Sequence, residues 1–111
     1  MSAETVLLIC SEESTSAELL SKLSGHGHGV VGPAENARMA LAMAAQHLAT
    51  IALVASAPTG RRSAVELAQA LKRDWGIGSI ILDDVEAGAG AQTHEWAPQP
   101  SQAARVLEAI A

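Results

Sequence analysis

Ile51-Ala52-Leu53-Val54-Ala55-Ser56 is a short apolar run closed by the turn residues Ala57-Pro58-Thr59-Gly60. A run of that length, bounded in that way, reads as a strand buried on both faces. The segments on either side carry helical periodicity, which places the run in the middle of a parallel sheet. In an open α/β sheet, ligands and reacting groups gather beyond the carboxyl ends of the strands. At that end this strand offers Ala55, a methyl group. A central strand aimed at the usual place of chemistry carries an inert side chain.

Upstream, Glu35 to His47 is rich in Ala, Met and Leu and is expected as a helix, with Met39, Leu41, Met43 and Ala44 toward the core. Downstream, Pro58-Thr59-Gly60-Arg61-Arg62 reads as a loop and Ser63 as an N-cap. Ala64 to Asp74 then forms the third helix, striped by Val65, Leu67, Ala68, Leu71 and Trp75. Further out, Thr5-Val6-Leu7-Leu8-Ile9-Cys10 is a first buried strand. Ser11-Glu12-Glu13-Ser14 follows with capping hydroxyls and carboxylates suited to a helix start. Ala17, Leu19, Leu20 and Leu23 mark the first helix over Thr15 to Ser24. Gly25-His26-Gly27-His28-Gly29 is a permissive break, and Val30-Val31 is a short second strand stopped by Gly32-Pro33.

Gly76-Ile77-Gly78 ends the third helix, and Ser79-Ile80-Ile81-Leu82 is a fourth buried strand. Val85 to Gln92 holds Gly88 and Gly90 and has no apolar periodicity, so one helical turn at most fits there. Thr93 to Ala97 reads as a short fifth strand around Trp96. Pro98-Gln99-Pro100-Ser101 introduces a last helix, Gln102 to Ala111, with Ala103, Val106, Leu107 and Ile110 on one face. Strands and helices in this alternation make a doubly wound sheet.

The chain has 111 residues, enough for one domain over 1–111 with a core of its own. Two Trp and no Phe or Tyr leave that core to Ala, Leu, Val and Ile. A net charge of −5 gives no footprint for nucleic acid or an anionic membrane. A single cysteine excludes an internal disulfide. With no cleavable signal pattern and no long apolar span, a cytoplasmic location is expected.

The pattern resembles response-regulator receiver domains, most closely those of alphaproteobacterial stress and light signalling. Gly27-His28-Gly29-Val30-Val31-Gly32-Pro33-Ala34 is similar to their second-strand motif, and Ala37 to Ala45 to their second helix. Ile51 to Ala55 resembles their third strand, and Ala64-Val65-Glu66-Leu67-Ala68 the start of their third helix. Gln99-Pro100 stands at the place of their Lys-Pro dipeptide, and Val106 at that of a core Leu. The resemblance implies a flavodoxin-like, doubly wound, five-stranded parallel sheet of order 2-1-3-4-5. Compared with the family, the helix between the fourth and fifth strands is shortened or missing.

Receivers phosphorylate themselves with two acids after the first strand and an acceptor Asp at the end of the third, all three around Mg²⁺. A hydroxyl residue after the fourth strand and a Lys after the fifth complete the set. Carried over by position, these correspond to Cys10 and Ser11, Ala55, Asp83 and Gln99, and none of the five is kept. The chemistry agrees: phosphoryl transfer needs a nucleophilic oxygen and a cation, and thiol and hydroxyl are poor ligands for hard Mg²⁺. The expectation is a pseudo-receiver that is no enzyme and needs no cofactor or metal. It would serve as a protein–protein interaction or regulatory module in bacterial two-component phosphorelay signalling.

The expected partner is a sensor kinase, a regulator or a second copy. It would be met on a surface of Trp96, Pro98, Gln102 and Arg105. A homodimer could form through the flank of the fourth and fifth strands and the last helix, where an uncovered strand edge invites pairing. The alternative is a ligand-sensing domain that binds a nucleotide or other anion near Arg61 and Arg62. Other signals have plain readings. His26 and His28 are half a metal site and read as a turn. Cys10, with no cation or second Cys nearby in sequence, reads as a buried filler. A hydrolase built on Asp83 and Ser11 lacks a nucleophile–base pair. Trp75 is expected to cap the core.

Overall fold

A computed structural model of the chain describes residues 4–10, 12–55, 61–81, 96 and 98–110, and only the backbone of 61–64 and 100. Its first strand, β1 (Thr5–Ile9), is buried along nearly its whole length and lies between two others. β2 (Gly29–Ala34) pairs with it in parallel on one side, and β3 (Ile51–Val54) on the other. β4 (Gly78–Ile81) pairs in parallel with β3, in the register Ile51 to Gly78 through Val54 to Ile81. The sheet order is therefore β2-β1-β3-β4, the expected doubly wound order for its first four members. The expected fifth strand over Thr93 to Ala97 and the shortened helix before it lie outside the described residues, apart from Trp96. The Trp96 carbonyl accepts the Ser79 N–H at 2.8 Å, so the chain returns to the open side of β4.

Alternation along these strands sorts the core into two layers. Leu7, Ile9, Ala52, Val54 and Ile81 face one side, covered by α2 (Ala37–Gln46) and α3 (Arg61–Trp75) and joined there by Trp96. Val6, Leu8, Ile51, Leu53 and Ile80 face the other, covered by α1 (Glu13–Gly25) and α4 (Pro100–Ile110) through Leu19, Leu23, Val106 and Ala109. Alanines at 40, 44, 52 and 68 let helices approach the sheet closely, which fits a core with so few rings.

The helix ends explain where the boundaries depart from expectation. α1 starts at Glu13, with the Ser16 Oγ donating to the Glu12 carbonyl at 2.8 Å, so that hydroxyl turns back onto the chain rather than capping an N–H. Its end is a left-handed Gly27 with the His28 N–H bonded to the Leu23 carbonyl and the Gly27 N–H to that of Ser24. α2 starts at Ala37 because the Asn36 side chain accepts the Met39 N–H at 2.9 Å. α3 starts at Arg61, so Ser63 lies inside the helix and is not its N-cap. α4 starts at Pro100, an allowed first-turn residue, with the Gln99 carbonyl accepting from Ala103 N–H.

Two further expectations are corrected. Gly32-Pro33 does not stop β2. The ladder shifts register between Leu7 and Ile9, Gly32 takes a φ of +113°, and pairing resumes at Ala34. One extra residue in β2 absorbs the proline as a bulge. Nor does Trp75 cap the core: it is 40% exposed. A 15-residue helix is ~22 Å long. It overruns four-residue strands of ~13 Å, so its last turn leaves the sheet.

Candidate functional site

The carboxyl ends of β1 and β3 bring Cys10 and Ala55 to one edge of the sheet. The Ala55 N–H donates to the Ile9 carbonyl at 2.8 Å, so the two strand tips stay laddered to their ends. Cys10 is buried, 1% exposed, among Val6, Leu8 and Leu53, and its Sγ donates to the Glu12 carbonyl at 3.3 Å. It is a packed thiol pointing inward, as expected of a filler. Glu12 is exposed, and its carboxylate accepts from the Thr15 hydroxyl at 3.4 Å. Ser11 and Asp83 lie outside the described residues. Among the described residues, no three His, Cys, Asp or Glu side chains gather in a way that could hold a metal ion.

Gln99 is not part of this edge. A β-carbon on Gly78, the first residue of β4, would lie 2.7 Å from the Pro98 nitrogen, so Pro98 sits against the start of that strand. Gln102, in the first turn of α4, donates to Glu4 and to the Thr50 carbonyl, which precede β1 and β3. Gln99 therefore stands where the strands begin, roughly 13–16 Å from their tips by strand length. The position equated with a phosphate-steadying lysine is at the opposite end of the sheet from Ala55. With no helical periodicity between Ile81 and Gln99 to fix the chain's direction, sequence spacing alone could not place it.

The four residues expected to present a partner surface are turned inward or tied down. Trp96 is 6% exposed and packs in the layer of Ala52, Leu71 and Ile81. Pro98 is half-buried against Gly78. Gln102 and Arg105 converge on Glu4, the one well-built polar cluster among the described residues. Glu4 Oε1 accepts from the Thr50 hydroxyl at 2.8 Å and from Gln102 Nε2 at 3.1 Å, and Oε2 accepts from Arg105 Nη1 at 2.9 Å. The backbone N–H of Glu4 donates to Nδ1 of His28, which is buried rather than loose in a turn. Burial pushes the Glu4 carboxyl up, but the bonds from Thr50, Arg105 and Gln102 and the Arg105 charge outweigh it and hold its pKa below the ordinary value.

Sequence reasoning missed Glu4 and Thr50. The available signal was an acid one residue before a buried strand, and its partners lie 46 to 101 residues away. Arg61 and Arg62 head α3, whose first-turn N–H groups and dipole favour an anion. Of the apolar side chains outside the core, Leu48 is 94% exposed, far more than Trp75.

No protein-family model matches the chain, and no curated protein matches it in sequence. Solved structures do match in shape. The response regulator PhyR from Brucella abortus superposes with a TM-score of 0.71 at 19% identity, over 99% of this chain and 48% of that one. The anti-anti-sigma factor PhyR from Bartonella quintana gives 0.70 at 18%, over 99% and 47%. A response regulator receiver domain protein from Clostridium thermocellum gives 0.65 at 16%, over 96% and 94%. The chain thus spans about half the length of the two PhyR structures and nearly all of the clostridial receiver. No helix among the described residues is long and apolar enough to cross a membrane. At these identities what is shared is the fold, and the chain is folded as a response-regulator receiver domain.

Proposed function

We propose that this chain is a single receiver-like domain over residues 1–111 that takes no phosphoryl group. It acts as a protein–protein interaction module in bacterial two-component signalling, in the cytoplasm. The observation that carries the reading is Ala55 at the tip of β3, a methyl group where a receiver needs a nucleophilic carboxylate. Its surroundings support it: Cys10 is packed inward, and Gln99 is at the far edge of the sheet. The likeness to PhyR and to a receiver domain protein supports a regulatory role over an enzymatic one.

The partner is a sensor kinase, a regulator or a second copy. Because Trp96 is in the core, exposed side chains such as Leu48 and Trp75 supply apolar contact area in its place. The test is capture of a partner from the native cytoplasm on the immobilised chain, with and without Mg²⁺ and acetyl phosphate. The same partner should be held equally in both conditions. Binding that appears only with the phosphoryl donor would overturn the reading.

A second reading keeps Arg61 and Arg62 as an anion site for a nucleotide, favoured by the start of α3 at Arg61 itself. Calorimetry with cyclic dinucleotides and nucleoside phosphates separates the two. Heat that disappears in Arg61→Ala favours the ligand sensor, and no heat favours the interaction module.

A further inference from the structure

α4 is held to the rest of the molecule in an uneven way. Among the described residues it buries two side chains fully, Val106 and Ala109, and Ala103, Leu107 and Ile110 partly. That is a small apolar anchor for an 11-residue helix. The polar attachment is concentrated on one carboxylate. The Glu4 side chain is 8% exposed, and two of its three side-chain donors, Gln102 Nε2 and Arg105 Nη1, come from α4. Its third donor, Thr50, is also fixed: the Thr50 hydroxyl accepts the Thr5 N–H at 3.0 Å and the Thr50 N–H donates to the Thr5 carbonyl at 2.8 Å. His28 fixes the Glu4 backbone from the turn before β2. The carboxylate is thus anchored on the sheet side and grips the helix with both oxygens. At the helix's other end Lys22 Nζ reaches the Ile110 carbonyl at 3.5 Å, a long, part-buried contact.

We propose that α4 is a detachable strap, latched to the strand-start edge by the Glu4 carboxylate, which opens as a unit while the sheet and α1 to α3 stay folded. The four strands are paired and α2 and α3 packed on them without α4, since the layer of Leu7, Ala52, Val54, Leu67 and Leu71 contains no α4 residue. Opening would bare the part of the α1-side layer that Val106 and Ala109 cover, together with Ala103, Leu107 and Ile110 packed around them. A unit with few buried contacts and one concentrated polar attachment is the kind that opens below the global unfolding free energy. This inference stands apart from the phosphorylation reading and survives or fails without it.

The test is hydrogen–deuterium exchange, read by mass spectrometry at neutral pH, on the full chain and on Glu4→Gln and Arg105→Met. In both variants, amides over 100–110 should exchange about tenfold faster or more, while those of β1, β3 and α3 change by less than about twofold. Acceleration by one common factor in every segment, or an unchanged α4, would overturn the proposal. Should Glu4→Gln fail to fold, Arg105→Met decides alone, because Arg105 lies on the strap, half-exposed and outside both core layers.

Discussion

Glu4 occupies a place where a carboxylate is costly, under the sheet's lower edge, and three donors offset that cost. Because its folded pKa lies below the unfolded value near 4.5, the unfolded chain takes up the proton first as pH falls. The Glu4 contribution is therefore complete above that value and is lost as pH falls through the folded pKa. Urea unfolding across the acid range should show stability dropping below about pH 4.5, with a shallower drop in Glu4→Gln. Equal slopes for the two proteins would contradict the assignment. Ser79 is the opposite case. Its hydroxyl is buried in β4, 1% exposed, with no hydrogen-bond partner among the described residues. Ser79→Ala removes an unpaired polar atom and should raise stability by about 1 kcal/mol in urea unfolding. A loss of stability would mean that the hydroxyl is bonded in solution.

At the scale of elements, the apolar runs at 5–10, 51–56 and 79–82 mark buried strands. The Ala- and Leu-rich segments between them mark helices, and the structure places β1, β3, β4, α2 and α3 within a few residues of those positions. What the residues did not disclose is set by contacts far apart in sequence. The seat of α4 depends on Glu4 and Thr50, and Trp96 is inside because the α2/α3 layer reaches to the open side of β4. The two tryptophans thus exchange their expected roles. Trp96→Ala should cost about 3–5 kcal/mol in chemical unfolding, and Trp75→Ala less than about 1 kcal/mol. The reverse order would place Trp96 at the surface. Gly78 belongs to the same seam, since any β-carbon there collides with Pro98 backbone. Gly78→Ala should cost about 3 kcal/mol, measured by urea unfolding, whereas Gly76→Ala tests only the left-handed turn after α3. A neutral Gly78→Ala would show that Pro98 does not rest on β4.

For the whole molecule, a receiver-type parallel sheet carries helices on both faces, and α4 lies on the α1 side with its first turn tied to the residues that precede β1 and β3. That a methyl group stands at the tip of β3 was legible, because the end of an apolar run can be read directly and Ala55 follows Val54, the last residue of β3. The displacement of Gln99 was not, because equating it with a lysine assumes that the chain after β4 follows the family's path. Both points lead to the same result. On the proposed reading, neither the natural chain nor Ala55→Asp takes a phosphoryl group, since restoring one carboxylate leaves the Cys10 thiol buried and Gln99 among the strand starts. The direct measurement is intact mass after incubation with acetyl phosphate and Mg²⁺. The account predicts an unchanged mass for the natural chain and for Ala55→Asp, and a stable gain of about 80 Da, one phosphoryl group, on the natural chain would contradict it.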